Sequence, residues 1–241
     1  MSFFYGVSQE KIDFRTDAVS QYISRIASKD RILDIGGRNQ QSKSNRRLRQ
    51  LSTNPRSKIV STDVVSDYKP DIVDDIASSN IESESFDSIY CSSILQFVTD
   101  CDAAIKNMYR ILAKGGELYI YVPFFLRITG AIDGEKDLHR FTFIDLDRML
   151  NSFSDYRLFV PDEKGYGGVL LELLTHSKIT RFPVTHSFFS QLVNLILTVA
   201  IAAKYASNNI QRKYHNISFS QYKFYHTHLA VNKGICAWAL K

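Results

Sequence analysis

"RILDIGGRNQQSKSNRR", residues 31–47, sets three kinds of sequence side by side. Ile32, Leu33 and Ile35 surround a single acid, Asp34; Gly36 and Gly37 follow; and no large apolar side chain returns before Leu48. A short β-branched run stopped by glycine reads as a buried strand ending in a turn. Without a Cβ, glycine there lets the backbone approach a ligand closely, and an acid beside it can receive an ammonium group or hydroxyls. The same composition also occurs in turns of purely structural purpose, so the rest of the chain has to decide.

Working outward, strands alternate with helices. Upstream, "TDAVSQYISRIASKD" repeats Val19, Ile23 and Ile26 at helical spacing, with Thr16 or Asp17 as cap. Downstream, "SNRRLRQLS" is a basic helix, and "KIVSTDV", "PDIVDDI" and "FDSIYCSSIL" are the second to fourth strands. "DAAIKNMYRILAKGG" is a helix with Ile105, Met108 and Leu112 on one face and Gly115 as its stop. "ELYIYVPFF" is a fifth strand, "FIDLDRMLNSF" a helix, "YRLFV" a sixth strand and "GICAWALK" a closing one. Such alternation predicts an α/β fold: a doubly wound, mainly parallel, seven-stranded sheet with helices on both faces and a C-terminal helical extension. The division expected is 1–160 for the ligand-binding part and 161–241 for the extension, which returns to a final strand in the same globular unit.

In sheets of this kind ligands bind beyond the C-terminal strand ends. Acids collect there. Asp34 closes the first strand, Asp63 the second about thirty residues on, and Asp74 or Asp75 the third. A carboxylate at the second strand end can grip both hydroxyls of a ribose.

Composition narrows the class. The 241 residues are 44% hydrophobic and 23% charged, with a net charge of +5, values of an ordinary globular protein with mild affinity for anions. Cys91, Cys101 and Cys236 are too few and scattered for a disulfide scaffold or zinc site. His176, His186, His215, His226 and His228 show no metal-ligand spacing, so no metal site is expected. The N-terminal "MSFFYGVSQEKIDF" lacks the pattern of a secretory signal, and a cytoplasmic setting is the default. Residues 182–203 carry no Asp, Glu, Lys or Arg. Pro183, His186, Gln191 and Asn194 interrupt that stretch, which favours a packed core or homodimer-interface helix over a span. The competing reading is a helix over 186–205 lying on the inner membrane face.

The blocks "ILDIGG", "STD", "DIVDDI", "SFDSIYCSSILQFV" and "NMYRILAKGGELYIYVPF" resemble class I S-adenosylmethionine-dependent methyltransferases over roughly residues 15–160, most specifically at 86–120. That resemblance implies a Rossmann-like fold with S-adenosylmethionine as cofactor. By similarity, Asp34, Gly36 and Gly37 would line the methionine end, Asp63 would hold the ribose and Val64 would pack on the adenine. Asp75 with Ile76 would frame the adenine edge, and Ser92 would sit near the sulfonium. "VPFF…DLHRFT", residues 122–142, is similar to members found among cell-surface polysaccharide genes, which implies polysaccharide biosynthesis and a glycan acceptor. Four positions depart from the family pattern. Arg38 replaces a frequent third glycine, Gln96 and Phe97 replace a frequent Glu-His pair, and Asp133 replaces a frequent His.

Methyl transfer asks the protein for alignment, plus proton removal when the acceptor is a hydroxyl. His139, Asp137 and Asp133 are the candidate bases. Arg140 is expected to pair with a carboxylate or anchor an anionic substrate, and Tyr166 in "GYGG" to reach the substrate or merely form a turn. The basic residues Arg38, Lys43, Arg46, Arg47 and Arg49 form either a solvated face or a phosphate contact above an exposed flap. Among alternatives, a nicotinamide-dependent oxidoreductase would need G-x-G-x-x-G after the first strand, which is missing. Base methylation in nucleic acid usually comes with an Asn/Asp-Pro-Pro-aromatic run where "CSSI" stands, so nucleic acid is disfavoured as a partner. A non-catalytic cofactor-binding scaffold remains the main competitor to an enzyme acting on a small molecule.

Overall fold

The computed structural model describes residues 3–4, 7–15, 17–124, 136–161, 195–196 and 234–241. Its centre is a seven-stranded sheet. In chain order the strands are β1 (Arg31–Ile35), β2 (Lys58–Asp63), β3 (Ile72–Val73), β4 (Phe86–Ser92), β5 (Leu112–Pro123), β6 (Asp155–Phe159) and β7 (Gly234–Leu240). Across the sheet they run β3-β2-β1-β4-β5-β7-β6. Neighbours from β3 through β5 pair in parallel, whereas β7 is antiparallel to both β5 and β6. The doubly wound architecture read from the sequence is therefore the one observed. The order reverses between β1 and β4, and their C-terminal ends open a crevice.

Residues alternate across the sheet with the two-residue period of strands. Ile32, Tyr90, Tyr119 and Trp238 face a core shared with helix α1 (Ala18–Ala27) and Leu48 of helix α2 (Lys43–Leu51). Leu33, Ile89, Leu118 and Ile120 face the opposite core, filled by Ile105 and Met108 of helix α3 (Cys101–Ile111) and Leu146 of helix α4 (Phe143–Met149). Helices thus cover both faces of the sheet. Asp34 follows Leu33, so its side chain falls on the α1/α2 face.

Local chemistry starts the helices where side-chain caps exist. Ser42 accepts from the Asn45 N–H to open α2, Asp100 accepts from Ala103 to open α3, and Thr142 with Asp145 forms a reciprocal capping box on α4. Asp17 precedes α1 without a side-chain cap bond. The expected stop of α3 at Gly115 is displaced: the helix ends at Ile111. Residues from Leu112 onward join β5, with Gly115 at φ +72° in an irregular stretch. There the Gly115 N–H donates to Lys241 O (3.3 Å) and the Lys241 N–H to Gly116 O (3.0 Å). That glycine serves a sheet contact with the C-terminal strand.

One buried acid ties α1 to the sheet. Glu117 of β5, 3% exposed, accepts from Arg25 (3.0 Å to each carboxylate oxygen), from Lys29 (2.7 Å) and from the Trp238 indole (2.6 Å). No helix among the described residues is long and apolar enough to cross a membrane. The uncharged stretch 182–203, apart from Leu195 and Ile196, and most of the expected extension lie outside those residues.

Candidate active site

The strand ends meet at a cavity of about 680 Å³, within the range of small-molecule sites. Gly36 and Arg38 enter it from the turn after β1, Asp63 and Val64 from β2, and Asp74, Asp75 and Ile76 from the segment after β3. Ser93, Ile94, Gln96 and Phe97 follow β4, Pro123 ends β5, and Asp137 with Arg140 closes one side.

The two glycines do different jobs. A Cβ on Gly36, whose φ is +66°, would lie 2.0 Å from Ile94 Cδ1, so the turn packs flush against the loop after β4. A Cβ on Gly37 would lie 2.4 Å from Asp34 Oδ2. Gly37 clears room for that carboxylate and does not itself line the cavity. Asp34 lies beneath the turn, 1% exposed, accepting from Ser44 Oγ (2.6 Å) and Asn45 Nδ2 (3.1 Å) of α2. Its other oxygen, Oδ1, is buried without a partner among the described residues, as is Asn45 Oδ1. Burial pushes the Asp34 pKa up to about 7 against these two hydrogen bonds. Of the three residues assigned to the methionine end, Gly36 alone faces the cavity, because the strand's alternation sends Asp34 toward α2.

Arg38 adopts φ +55°, a left-handed conformation unusual outside glycine. It holds the turn that a third glycine would make, and its guanidinium lies 4.3 Å from the Tyr68 ring centroid. Tyr68 also lines the cavity. The following residues are fastened: Asn39 Nδ2 donates to Tyr68 O (3.1 Å) and Gln40 Nε2 to Ile59 O (2.9 Å). The expected flap is thus a tethered loop. Lys43, Arg46, Arg47 and Arg49 lie on α2 beyond it, all four exposed, while Asn45 and Leu48 form its buried face.

Asp63 is 8% exposed, and its Oδ1 accepts the Val65 N–H at 3.0 Å, which fixes the carboxylate at the strand end. Its carbonyl accepts from Asp74 N (3.1 Å), joining the second and third strand ends. Val64 is half-exposed on the rim. Asp75 Oδ1 caps the turn Ile76–Ser78 through the Ala77 N–H at 2.9 Å, and buried Ile76 forms the floor beside it. Asp74 Oδ2 is buried without a partner among the described residues.

Past β4, Ser93 lines the cavity at φ +60° and Ser92 does not, since the left-handed turn presents the second serine of the pair. Gln96 is 5% exposed; its Oε1 has no partner among the described residues, while its carbonyl accepts from Leu138 N (2.7 Å) and His139 N (3.3 Å). Those bonds pin the returning segment to the cavity wall. Arg140 pairs with Asp137 through both carboxylate oxygens, one at 2.8 Å, and this contact raises the guanidinium pKa further. Both residues line the cavity, so the ion pair expected of Arg140 is present and sits at the site. His139 does not line it; its ring centroid is 5.8 Å from that of Phe141, and its Nε2 is buried without a partner among the described residues. Asp133 and Tyr166 lie outside the described residues.

Sequence reading missed Tyr68 and Ser93 as wall residues, and it named Asp74 only as the alternative to Asp75 at the third strand end, whereas both line the cavity.

Residues 42–120 match the model of a family described as "Methyltransferase domain". No curated protein matches the sequence. Among solved structures, a SAM-dependent methyltransferase from Archaeoglobus fulgidus superposes with TM-score 0.52 at 14% identity, covering 94% of this chain and 95% of its own. The [4+2]-cyclase SpnF gives 0.51 at 15% identity, over 93% of this chain and 80% of its own. Phosphoethanolamine N-methyltransferase 2 of Haemonchus contortus, solved with S-adenosyl-L-methionine, gives 0.51 at 14% over 98% of this chain. This chain spans only 53% of the Haemonchus protein's length. The chain therefore has the fold of these proteins, and its residues 42–120 are similar to a methyltransferase domain. The presence of a cyclase on the same architecture shows that the fold alone does not select the reaction.

Proposed function

We propose that this chain is a class I methyltransferase that binds S-adenosylmethionine across the ends of β1, β2 and β3 and methylates a small acceptor held beside Gln96 and Arg140. One observation carries the reading: Gly36, Asp63, Val64, Asp75 and Ile76, from three separate strand ends, wall a single cavity.

The residues present suit that cofactor. Asp63, braced by the Val65 N–H, offers its carboxylate to a vicinal diol. The apolar Val64 and Ile76 suit a purine face, and the unpartnered Asp74 Oδ2 is an acceptor that a donor-bearing ligand would satisfy. When bound, the cofactor supplies an electrophilic methyl on sulfonium. The chain's part is orientation, worth several kcal/mol of the barrier in well-aligned reactions.

For the acceptor we favour a sugar of cell-surface polysaccharide, methylated on oxygen. Support comes from the segment similar to polysaccharide-cluster members, whose Asp137 and Arg140 border the cavity. Of the three candidate bases, Asp137 is the one placed at the cavity among the described residues, and its pairing with Arg140 weakens it as a base. This favours catalysis by positioning with a weak base. It also keeps a non-catalytic cofactor-binding scaffold as the second reading. We further propose a cytoplasmic protein, with residues 186–205 serving as a dimer contact or resting on the membrane face.

Isothermal titration with S-adenosylmethionine tests the first step. Asp63→Ala should weaken binding by about 1–3 kcal/mol through lost ribose hydrogen bonds. Unchanged affinity with an intact fold would remove the ribose assignment. Release of S-adenosylhomocysteine with a panel of sugar nucleotides then separates enzyme from scaffold.

A further inference from the structure

Arg38 occupies a position where glycine would be free of strain. Its φ of +55° is a left-handed backbone state that is strained for any residue with a Cβ. The neighbouring Gly36 and Gly37 are kept as glycine for want of space, since a Cβ would fall 2.0 Å from Ile94 Cδ1 at the first and 2.4 Å from Asp34 Oδ2 at the second. At Arg38 the chain accepts backbone strain and places a cation at the cavity wall.

The arrangement of that cation is specific. The guanidinium lies over the Tyr68 ring at 4.3 Å, and both residues line the cavity. Arg140, the other arginine in the lining, is engaged by Asp137. Arg38 forms no ion pair with an acid among the described residues. A guanidinium set over an aromatic ring still has N–H groups to offer, and their fork matches a carboxylate in a two-point contact. Asn39 and Gln40, bonded to Tyr68 O and Ile59 O, tether the loop that carries Arg38 beside Tyr68.

We propose that Arg38 is an anion-binding residue of the cavity, its guanidinium braced on Tyr68 to take a carboxylate of the bound ligand. Resting on the reading given above, that carboxylate is the one on the aminoacyl chain of S-adenosylmethionine, the sole anionic group of that molecule. Arg38 thereby does with a side chain what a bare glycine turn does with backbone N–H groups alone. The consequence is selectivity for intact cofactor and product over nucleosides that lack the amino-acid tail.

The test is titration calorimetry of the full chain and of Arg38→Gly and Arg38→Lys with two probes. S-adenosylhomocysteine carries the carboxylate; 5′-methylthioadenosine keeps the nucleoside and thioether without it. Arg38→Gly should lose roughly tenfold or more for S-adenosylhomocysteine and little for methylthioadenosine. Arg38→Lys should fall between, having charge without the planar fork. The glycine variant removes the strain, so its melting temperature should rise, and an undamaged fold is thereby checked. Equal losses for both probes, or no loss for either, would overturn the assignment. Failure of the unaltered chain to bind either probe would instead refute the cofactor reading on which the assignment stands.

Discussion

Asp34→Asn should flatten the pH dependence of stability. Asp34 is 1% exposed, and burial raises its pKa from 3.8 to about 7 in the folded chain. Between those values the unfolded chain has released this proton and the folded chain retains it. Stability contributed here is therefore fully present below the unfolded value and falls as pH rises to the folded one. At 1.36 kcal/mol for each pH unit the whole fall is about 4 kcal/mol, and about 3 kcal/mol of it lies between pH 5 and pH 8. Asparagine keeps one oxygen for Ser44 Oγ and Asn45 Nδ2 and cannot ionise. Urea denaturation of both proteins at pH 5, 6, 7 and 8 isolates the effect, since every other titrating group is shared. The stability of Asp34→Asn relative to the parent should climb by about 3 kcal/mol across that range. Parallel curves would show that Asp34 is ionised in the fold at neutral pH, and that its unpartnered oxygen has a partner in solution.

Two further substitutions probe the frame. Gly36→Ala places a methyl within 2.0 Å of Ile94 Cδ1 at φ +66° and should cost about 1–3 kcal/mol by denaturant melt, with part recovered by adding Ile94→Ala. Glu117→Gln should lose about 2 kcal/mol at pH 7, because its amide would turn a donor toward Arg25, Lys29 or the Trp238 indole. Those partners hold the native Glu117 pKa below its usual value, so its contribution is present above the unfolded pKa and lost as pH falls through the folded one. The gap between the two proteins should therefore narrow in acid.

The sheet was legible because its strands announce themselves twice, as β-branched runs and as acids or glycines at their ends. Asp63 and Asp75 fell on the cavity as expected, for a strand end points only one way along the sheet. Which side of a turn a side chain takes is a different matter. Asp34 looks like a ligand contact in one dimension, and only the alternation of β1 against α2 shows it turned under Gly37. The left-handed states of Arg38 and Ser93 were hidden because residue preference argues for glycine there, and tertiary packing overrode it. The end of α3 was misplaced for a similar reason. Nothing near Gly115 reveals that its N–H pairs with the carbonyl of Lys241, more than a hundred residues away.

Strand β7 carries a consequence for assembly. β6 reaches the rest of the sheet only by way of β7, which is inserted between it and β5. During synthesis, residues 155–159 emerge long before residues 234–240 and have no neighbour in the sheet until those arrive. The wedge that completes the sheet is thus the latest made of its seven strands, so loop closure between β5 and β7 must precede the docking of β6. A chain halted at residue 233 would leave the Cys236 and Trp238 positions vacant in the core and Tyr119 uncovered, a species suited to chaperone capture.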